Sequence, residues 1–174
     1  MKNNSIGFFD SGIGGITIWE SVNRLLPNEN TIYLADSKNS PYGKKTNDEL
    51  TNISKENVEF LINKKCKLIV VACNTATTNS INFLRKSYNL PFIGIEPAIK
   101  PAALNTKTGK IGVLATKGTL GSSLFEKTSN IHGQNVEIIE QHGLGLVELI
   151  EKGIYSGSKT VSYTHLTLPT TSSV

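Results

Sequence analysis

The segment Val70-Val71-Ala72-Cys73-Asn74-Thr75-Ala76 places a lone thiol where a buried apolar strand gives way to a helix. Residues 67–72, Lys-Leu-Ile-Val-Val-Ala, form a β-branched run with no polar interruption after the first residue. That is the pattern of a central parallel strand covered on both faces. Residues 75–88 read as a helix, so Cys73 and Asn74 are expected at the carboxyl edge of a sheet, beside a helix N-terminus. Backbone N–H groups and the positive end of the helix dipole there favour a thiolate over a thiol and attract an anionic ligand. An arbitrary cysteine is more often a small buried hydrophobe. Its place directly after the strand favours the reactive reading here.

The rest of the chain alternates strands and helices. Strands are expected at residues 5–10, 31–35, 67–72 and 91–95, with helices at 16–26, 48–63 and 75–88; Val58, Leu61 and Ile62 share one face of the second helix. A further set follows: helix 97–104, strand 110–115, helix 119–130, strand 135–139 and helix 144–151. Alternating β and α elements imply parallel sheets joined by crossovers. The expected fold is therefore α/β, two similar Rossmann-like parallel-sheet units, the second incomplete. Glu96-Pro97 punctuates the pattern and marks a boundary between a first lobe at 1–96, carrying Asp10 and Cys73, and a partial second lobe at 97–160. From Val161 to Val174 the chain is rich in hydroxyl residues and lacks charge. This 161–174 tail reads as disordered or as a translated cloning or assembly scar, outside the fold.

Composition sets looser bounds. With 174 residues and 38% hydrophobic content, the chain can bury a sizeable core. No apolar run is long enough to cross a membrane as a helix, and Met1-Lys2-Asn3-Asn4 leads straight into a strand, so a cytoplasmic protein is expected. The net charge of +4 is spread without a basic block. It argues for a small acidic ligand and gives no support to nucleic-acid binding. Cys66 and Cys73, the only cysteines, flank one strand; they suit neither a disulfide framework nor a zinc site. Cys66 reads as structural.

Asp10-Ser11-Gly12-Ile13-Gly14-Gly15 closes the first strand. Glycines at a strand-to-helix turn let amides approach an anion, and Asp36 stands where an acidic residue could grip a ribose. The last glycine of a dinucleotide fingerprint is replaced by Thr17, however, and no phosphate-loop lysine is present. A carboxylate-binding turn remains, with Asp10 directed towards the crevice of Cys73; the plainer reading is that Asp10 and Ser11 cap the helix. Ser40-Pro41-Tyr42-Gly43-Lys44 follows the second strand and falls on the same sheet edge.

Phe9-Asp10-Ser11-Gly12-Ile13-Gly14-Gly15, Ser40-Pro41-Tyr42-Gly43 and Ala72-Cys73-Asn74-Thr75-Ala76-Thr77, in this order, closely resemble the glutamate racemases. These are cofactor-independent bacterial enzymes that make D-glutamate for peptidoglycan. The Cys-Asn-Thr element alone is shared across the wider aspartate/glutamate racemase superfamily. The resemblance runs from about residue 6 to about residue 153, through Leu114-Ala115-Thr116-Lys117-Gly118-Thr119 and Leu146-Val147-Glu148-Leu149-Ile150-Glu151. It covers most of this chain but only about the first three fifths of a family member.

The resemblance implies racemisation by two cysteines, one taking the α-proton of glutamate from one face while the other delivers a proton to the opposite face. It implies no cofactor and no metal. Cys73 matches the first base, Asp10 the acid that assists it, and Glu151 a glutamate near the other base. Ser11, Pro41, Tyr42, Gly43, Asn74, Thr75 and Thr116 match positions that hold the substrate. A full-length parent is expected to be a homodimer. From sequence alone, Thr116 and Glu151 read equally well as an N-cap and a solvated helix end.

One departure stands out. The second base belongs to a downstream Gly-Cys-Thr-His-Tyr-Pro segment, and no cysteine follows Cys73. Tyr163-Thr164-His165 imitates Cys-Thr-His with tyrosine in place of cysteine, and Leu166 follows. A phenol of pKa near 10 is a poor substitute for the thiol. A C-terminally truncated form, inactive or impaired and exchanging a proton on one face at most, is expected. Two alternatives stand beside it: a carboxylate-binding fragment without turnover, and a racemase of another small acidic amino acid, which the Ser-Pro-Tyr-Gly loop weighs against.

Overall fold

The computed structural model of the chain describes residues 4–158. The 161–174 tail, with Tyr163, Thr164 and His165, lies outside the described residues.

Four parallel strands form the larger sheet: β1 Ile6–Asp10, β2 Thr31–Ala35, β3 Leu68–Val71 and β4 Phe92–Gly94, in the order β2-β1-β3-β4. The two inner strands, β1 and β3, are the most buried, because both of their faces are covered. Period-two alternation divides them between two cores. Phe9, Ile69 and Val71 pack with residues of the helices α2 Asn47–Asn63 and α3 Asn74–Ser87. Ile6, Phe8, Leu68 and Val70 pack on the other face against Ile18, Trp19 and Val22 of α1 Ile16–Leu25. Register Phe9↔Val71 and Asp10↔Ala35 brings the carboxyl ends of β1, β2 and β3 to one edge.

The start of α2 illustrates how local sequence sets a boundary. Thr46 and Glu49 form a reciprocal capping box, with Thr46 N–H donating to Glu49 Oε2 at 2.7 Å and Glu49 N–H donating to Thr46 Oγ1 at 3.3 Å. The buried face of α2 is carried by Leu50, Ser54, Asn57, Val58 and Leu61. Ile62, expected on that face, turns outward. Two polar residues take inward positions because each finds a partner: Ser54 bonds Ser80 of α3 at 3.2 Å, and Asn57 joins the Asp36 network described below.

The second sheet has two parallel strands, β5 Lys110–Ala115 and β6 Glu137–His142, paired from Lys110↔Glu137 to Ala115↔His142. Four helices accompany it: α4 Ile99–Asn105, α5 Lys117–Leu120, α6 Ser123–His132 and α7 Leu146–Glu151. The sequence suggested one helix over 119–130. Two form instead, because Thr116 caps α5, the chain breaks at Gly121, and Ser122 caps α6 by accepting from Phe125 N–H at 3.2 Å. The last strand lies two to three residues beyond the expected 135–139. The core here is small: Ile99, Ile111, Leu120 and Phe125 are its buried members.

Candidate active site

The Asp10 turn and the Cys73 junction converge on one cleft of about 390 Å³ between the two sheets, lined by Asp10, Ser11, Cys73, Asn74 and Thr75 on one side and by Thr116 and Glu151 on the other. Cys73 follows β3 directly and is the N-cap of α3: its Sγ accepts from Ala76 N–H at 3.4 Å and lies 3.8 Å from Ser11 Oγ. Cys73 is only 6% exposed. That burial decides its acidity. Burial first, and the Asp10 charge second, push the thiol up to about 12, overriding the opposing hydrogen bonds from Ala76 and Ser11. The expectation that the helix terminus would favour the thiolate is thus corrected. One amide contact and a dipole end are outweighed when the charged form must leave water.

Asp10 ends β1 and is buried. Its Oδ2 accepts from Gly12 N–H at 3.3 Å and Gly15 N–H at 2.9 Å. The glycine turn therefore binds a carboxylate, and that carboxylate is the chain's own. A second joins it. Glu151 Oε1 accepts from Ile13 N–H at 3.1 Å, reaching from α7 to the first sheet. It lies so close to residue 12 that a Cβ there would stand 2.0 Å from Glu151 Oε1, so a side chain at this position would displace the carboxylate.

Hydroxyl groups form the opposite corner. Thr75 and Thr116 approach at 2.9 Å, Thr75 and Thr119 at 3.0 Å, and Thr116 and Thr119 at 3.1 Å, a closed triangle that ties α3 to α5. Thr116 also caps α5 through Thr119 N–H. Asn79 of α3 strengthens the joint by donating to Gly118 O at 3.0 Å.

The loop after β2 divides its residues. Pro41 and Gly43 line an adjoining recess of about 240 Å³ with Thr116. Tyr42 does not line the cleft: its ring is buried in the main core and its hydroxyl donates to Asp36 Oδ2 at 2.6 Å. Asn57 Nδ2 donates to the Tyr42 hydroxyl at 2.9 Å, and Asn39 Nδ2 reaches both Asp36 oxygens at 3.0 and 2.9 Å. Burial, and next the bond to Asp36, hold the Tyr42 phenol above its ordinary range. Asp36 is thereby a structural anchor of the loop instead of a ribose ligand.

Sequence reasoning missed Tyr33. From β2 its hydroxyl donates to Gly12 O at 3.0 Å, bracing the glycine turn from behind. Burial, then the charges of Asp10, Cys73 and Glu151, keep it protonated as a donor. The available signal was a tyrosine in register with Phe8 beside a buried strand, where a phenol needs a partner for its polar end. Cys66 is buried against the main core, and burial raises its thiol.

Among the described residues, no group of three or more His, Cys, Asp and Glu side chains is placed to hold a metal ion, and no helix is long and apolar enough to cross a membrane. The cleft offers a thiol, two carboxylates, hydroxyls and the amides at the start of α3, with no lysine or arginine among its described lining residues. An acidic ligand would be received by amide dipoles and hydroxyls.

Parallel strands ending in a thiol on one side and a threonine cap on the other define an α/β protein with its site between two sheets. Residues 14–161 match the Asp/Glu/Hydantoin racemase family, and the chain belongs to that family. It is 47% identical over 163 residues to a glutamate racemase of Clostridium botulinum strain Alaska E43, covering 93% of this chain and 63% of that protein. A glutamate racemase of Clostridium perfringens strain SM101 is 45% identical, over 94% of this chain and 63% of its own length. The chain thus spans less than two thirds of these curated relatives. Among solved structures, Escherichia coli glutamate racemase in complex with L-glutamate and activator UDP-MurNAc-Ala superposes with a TM-score of 0.82 at 32% identity, over 92% of this chain and 61% of that one. Glutamate racemase from Francisella tularensis in complex with D-glutamate gives 0.77 at 31% identity, over 95% and 65%.

Proposed function

We propose that the chain is the portion of a glutamate racemase that binds glutamate and carries the first of its two bases, Cys73. The observation that carries this reading is the presence of the Cys73 sulfur and the Asp10 carboxylate in one cleft, at the ends of neighbouring strands. In this reading Ser11, Pro41, Gly43, Asn74, Thr75 and Thr116 hold the substrate. Tyr42 contributes through the loop it anchors. The whole enzyme would act in the cytoplasm as a homodimer and supply D-glutamate for peptidoglycan. The division into lobes at 1–96 and 97–160 belongs to the same reading.

The chemistry asks for a strong base against a very weak carbon acid. Burial and the Asp10 charge hold Cys73 as a thiol. An amino-acid ligand brings an ammonium group, whose positive charge offsets Asp10 and draws the sulfur towards its thiolate. Asp10, already satisfied at Oδ2 by two amides, serves as an orienting or proton-relaying group. Ionised near the sulfur, it opposes the thiolate and cannot be its electrostatic activator. Fixed amides and hydroxyls, acting in a cleft from which ligand displaces water, stabilise the carbanion character that develops.

Of the two cysteines, Cys73 lines the cleft and Cys66 is in the core, so the base these residues place at the site is a single sulfur. The expected activity is exchange of the α-proton of one glutamate enantiomer with solvent. Incubation in deuterated buffer with L- and D-glutamate, followed by mass spectrometry, tests it. Label in one enantiomer, abolished by Cys73→Ser, is the expected result. Label in neither, or label indifferent to Cys73→Ser, overturns the assignment.

A further inference from the structure

The short helix α7 is held to the rest of the molecule in an unusual way. No residue in it is fully buried. Both of its ends are glycines in the left-handed region, Gly145 at φ +83° as the N-cap and Gly153 at φ +70° just past the C-cap. At the C-terminal end Gly153 N–H donates to Ile150 O and Ile154 N–H to Leu149 O, both at 2.9 Å, so the short helix is closed on itself as one unit. What reaches from α7 to the first sheet's side is two carboxylates. Glu148 Oε1 meets Lys44 Nζ at 2.5 Å, and Glu151 Oε1 accepts from Ile13 N–H at 3.1 Å.

The receiving amide is itself held in place. Gly12 O and Ile13 N–H belong to one peptide unit and point in opposite directions. Tyr33 donates to the oxygen while Glu151 accepts from the nitrogen, so the peptide plane is gripped from both sides. Leu146, Val147 and Ile150 present the apolar side of α7 to the cleft that holds Cys73.

We propose that α7 is a lid over the cleft, latched shut by two of its own carboxylates, Glu148 on Lys44 and Glu151 on the Ile13 amide, with Tyr33 as the positioning residue that aims that amide. Attachment by two solvent-accessible polar contacts, in place of a buried apolar face, suits a closure that must open readily. Glu151 occupies an amide on the wall where an acidic ligand is received, so the latch and an incoming carboxylate share one chemistry.

The lid concerns access to the sulfur and can be read without turnover. The rate at which iodoacetamide alkylates Cys73 in the full chain is followed by peptide mass spectrometry, with Cys66 as the internal reporter of general loosening. Glu151→Ala is expected to raise the Cys73 rate about tenfold, the scale of one charge-assisted hydrogen bond, with Cys66 unchanged. Lys44→Ala separates opening from electrostatics. Loss of a positive charge disfavours a thiolate, so faster alkylation in this variant reports an opened lid. Tyr33→Phe is expected to speed hydrogen exchange at the Ile13 amide and to raise the Cys73 rate by less than Glu151→Ala does. Unchanged Cys73 rates in Glu151→Ala and Lys44→Ala, or a parallel rise at Cys66, would overturn the latch.

Discussion

Two strand-to-helix junctions face each other across the cleft, and they are built alike. After β3 comes Ala72-Cys73-Asn74-Thr75, and after β5 comes Ala115-Thr116-Lys117-Gly118-Thr119. Each places the residue after its alanine as an N-cap with extended backbone, Cys73 accepting from Ala76 N–H and Thr116 from Thr119 N–H. The difference is a single functional group. A threonine hydroxyl is a good cap and inert to proton abstraction; a thiol is a poor cap and an ionisable one. Cys73 gives up capping strength for acid–base chemistry, and the local fold tolerates the exchange because β1 and β3 are already buried on both faces. The junction after β5, resting on a core of four buried side chains, keeps the better cap.

Removing the distinguishing group should produce the largest effect. Cys73→Ser is expected to lower α-proton exchange by about 10²- to 10⁴-fold, the range for a positioned general base. The two supporting cores offer the next contrast. Phe9 and Phe125 are both buried, one in the extensive main cluster and one in the four-membered cluster. Phe9→Ala should cost about 4 to 5 kcal/mol in a denaturant titration, and Phe125→Ala should fall near 3 kcal/mol, because a small core edged by half-buried neighbours collapses more readily around a void. Equal costs would show that the two cores resist collapse equally.

This contrast also explains what could be read from the sequence. The unbroken run of β3 and the thiol after it were legible, because a doubly covered strand leaves a compositional mark that needs no partner to interpret. The pairing of residues 13 and 151 was not, since nothing in either local sequence points to the other. The resemblance puts Tyr42 at the ligand; it does not show that the ring packs in the core with its hydroxyl satisfied by Asp36 and Asn57. A tyrosine beside proline and glycine looks the same whether its ring faces a cavity or fills one. Ile62 and the break at Gly121 failed for a related reason. Periodicity locates an apolar face to within a residue or two, and polar residues with buried partners, such as Ser54 and Asn57, displace it.

A titration sharpens the electrostatic side of the comparison. With its thiol raised to about 12, Cys73 should alkylate faster with each step of pH beyond 9.0 and level off only near 12. The raised value has a stability consequence of definite sign. Below pH 9.0 the thiol is protonated in both folded and unfolded chains, and the folded state is favoured in full; as pH climbs towards 12 the unfolded chain ionises first and that contribution is lost. Asp10→Asn removes the second cause of the shift and leaves burial, the first. The alkylation profile should move to lower pH and remain above that of an ordinary cysteine. A profile that does not move would mean that the Asp10 charge is not felt at the sulfur.

The smallest effect is the most discriminating between the junctions. Serine is among the better N-cap residues, and its oxygen can take the Ala76 amide that the sulfur holds at 3.4 Å. Cys73→Ser should therefore leave unfolding stability unchanged or raise it by up to about 1 kcal/mol, even as exchange is lost. Thr116→Ala should run the other way, costing about 1 kcal/mol through loss of the α5 cap. Thr75 and Thr119 still bond each other at 3.0 Å, which keeps the penalty from growing further. Thermal or denaturant midpoints for the two variants, measured side by side, check the pair. A destabilised Cys73→Ser would mean that the sulfur is held at its junction by packing, and that a thiol there is a requirement of the core as much as of the chemistry.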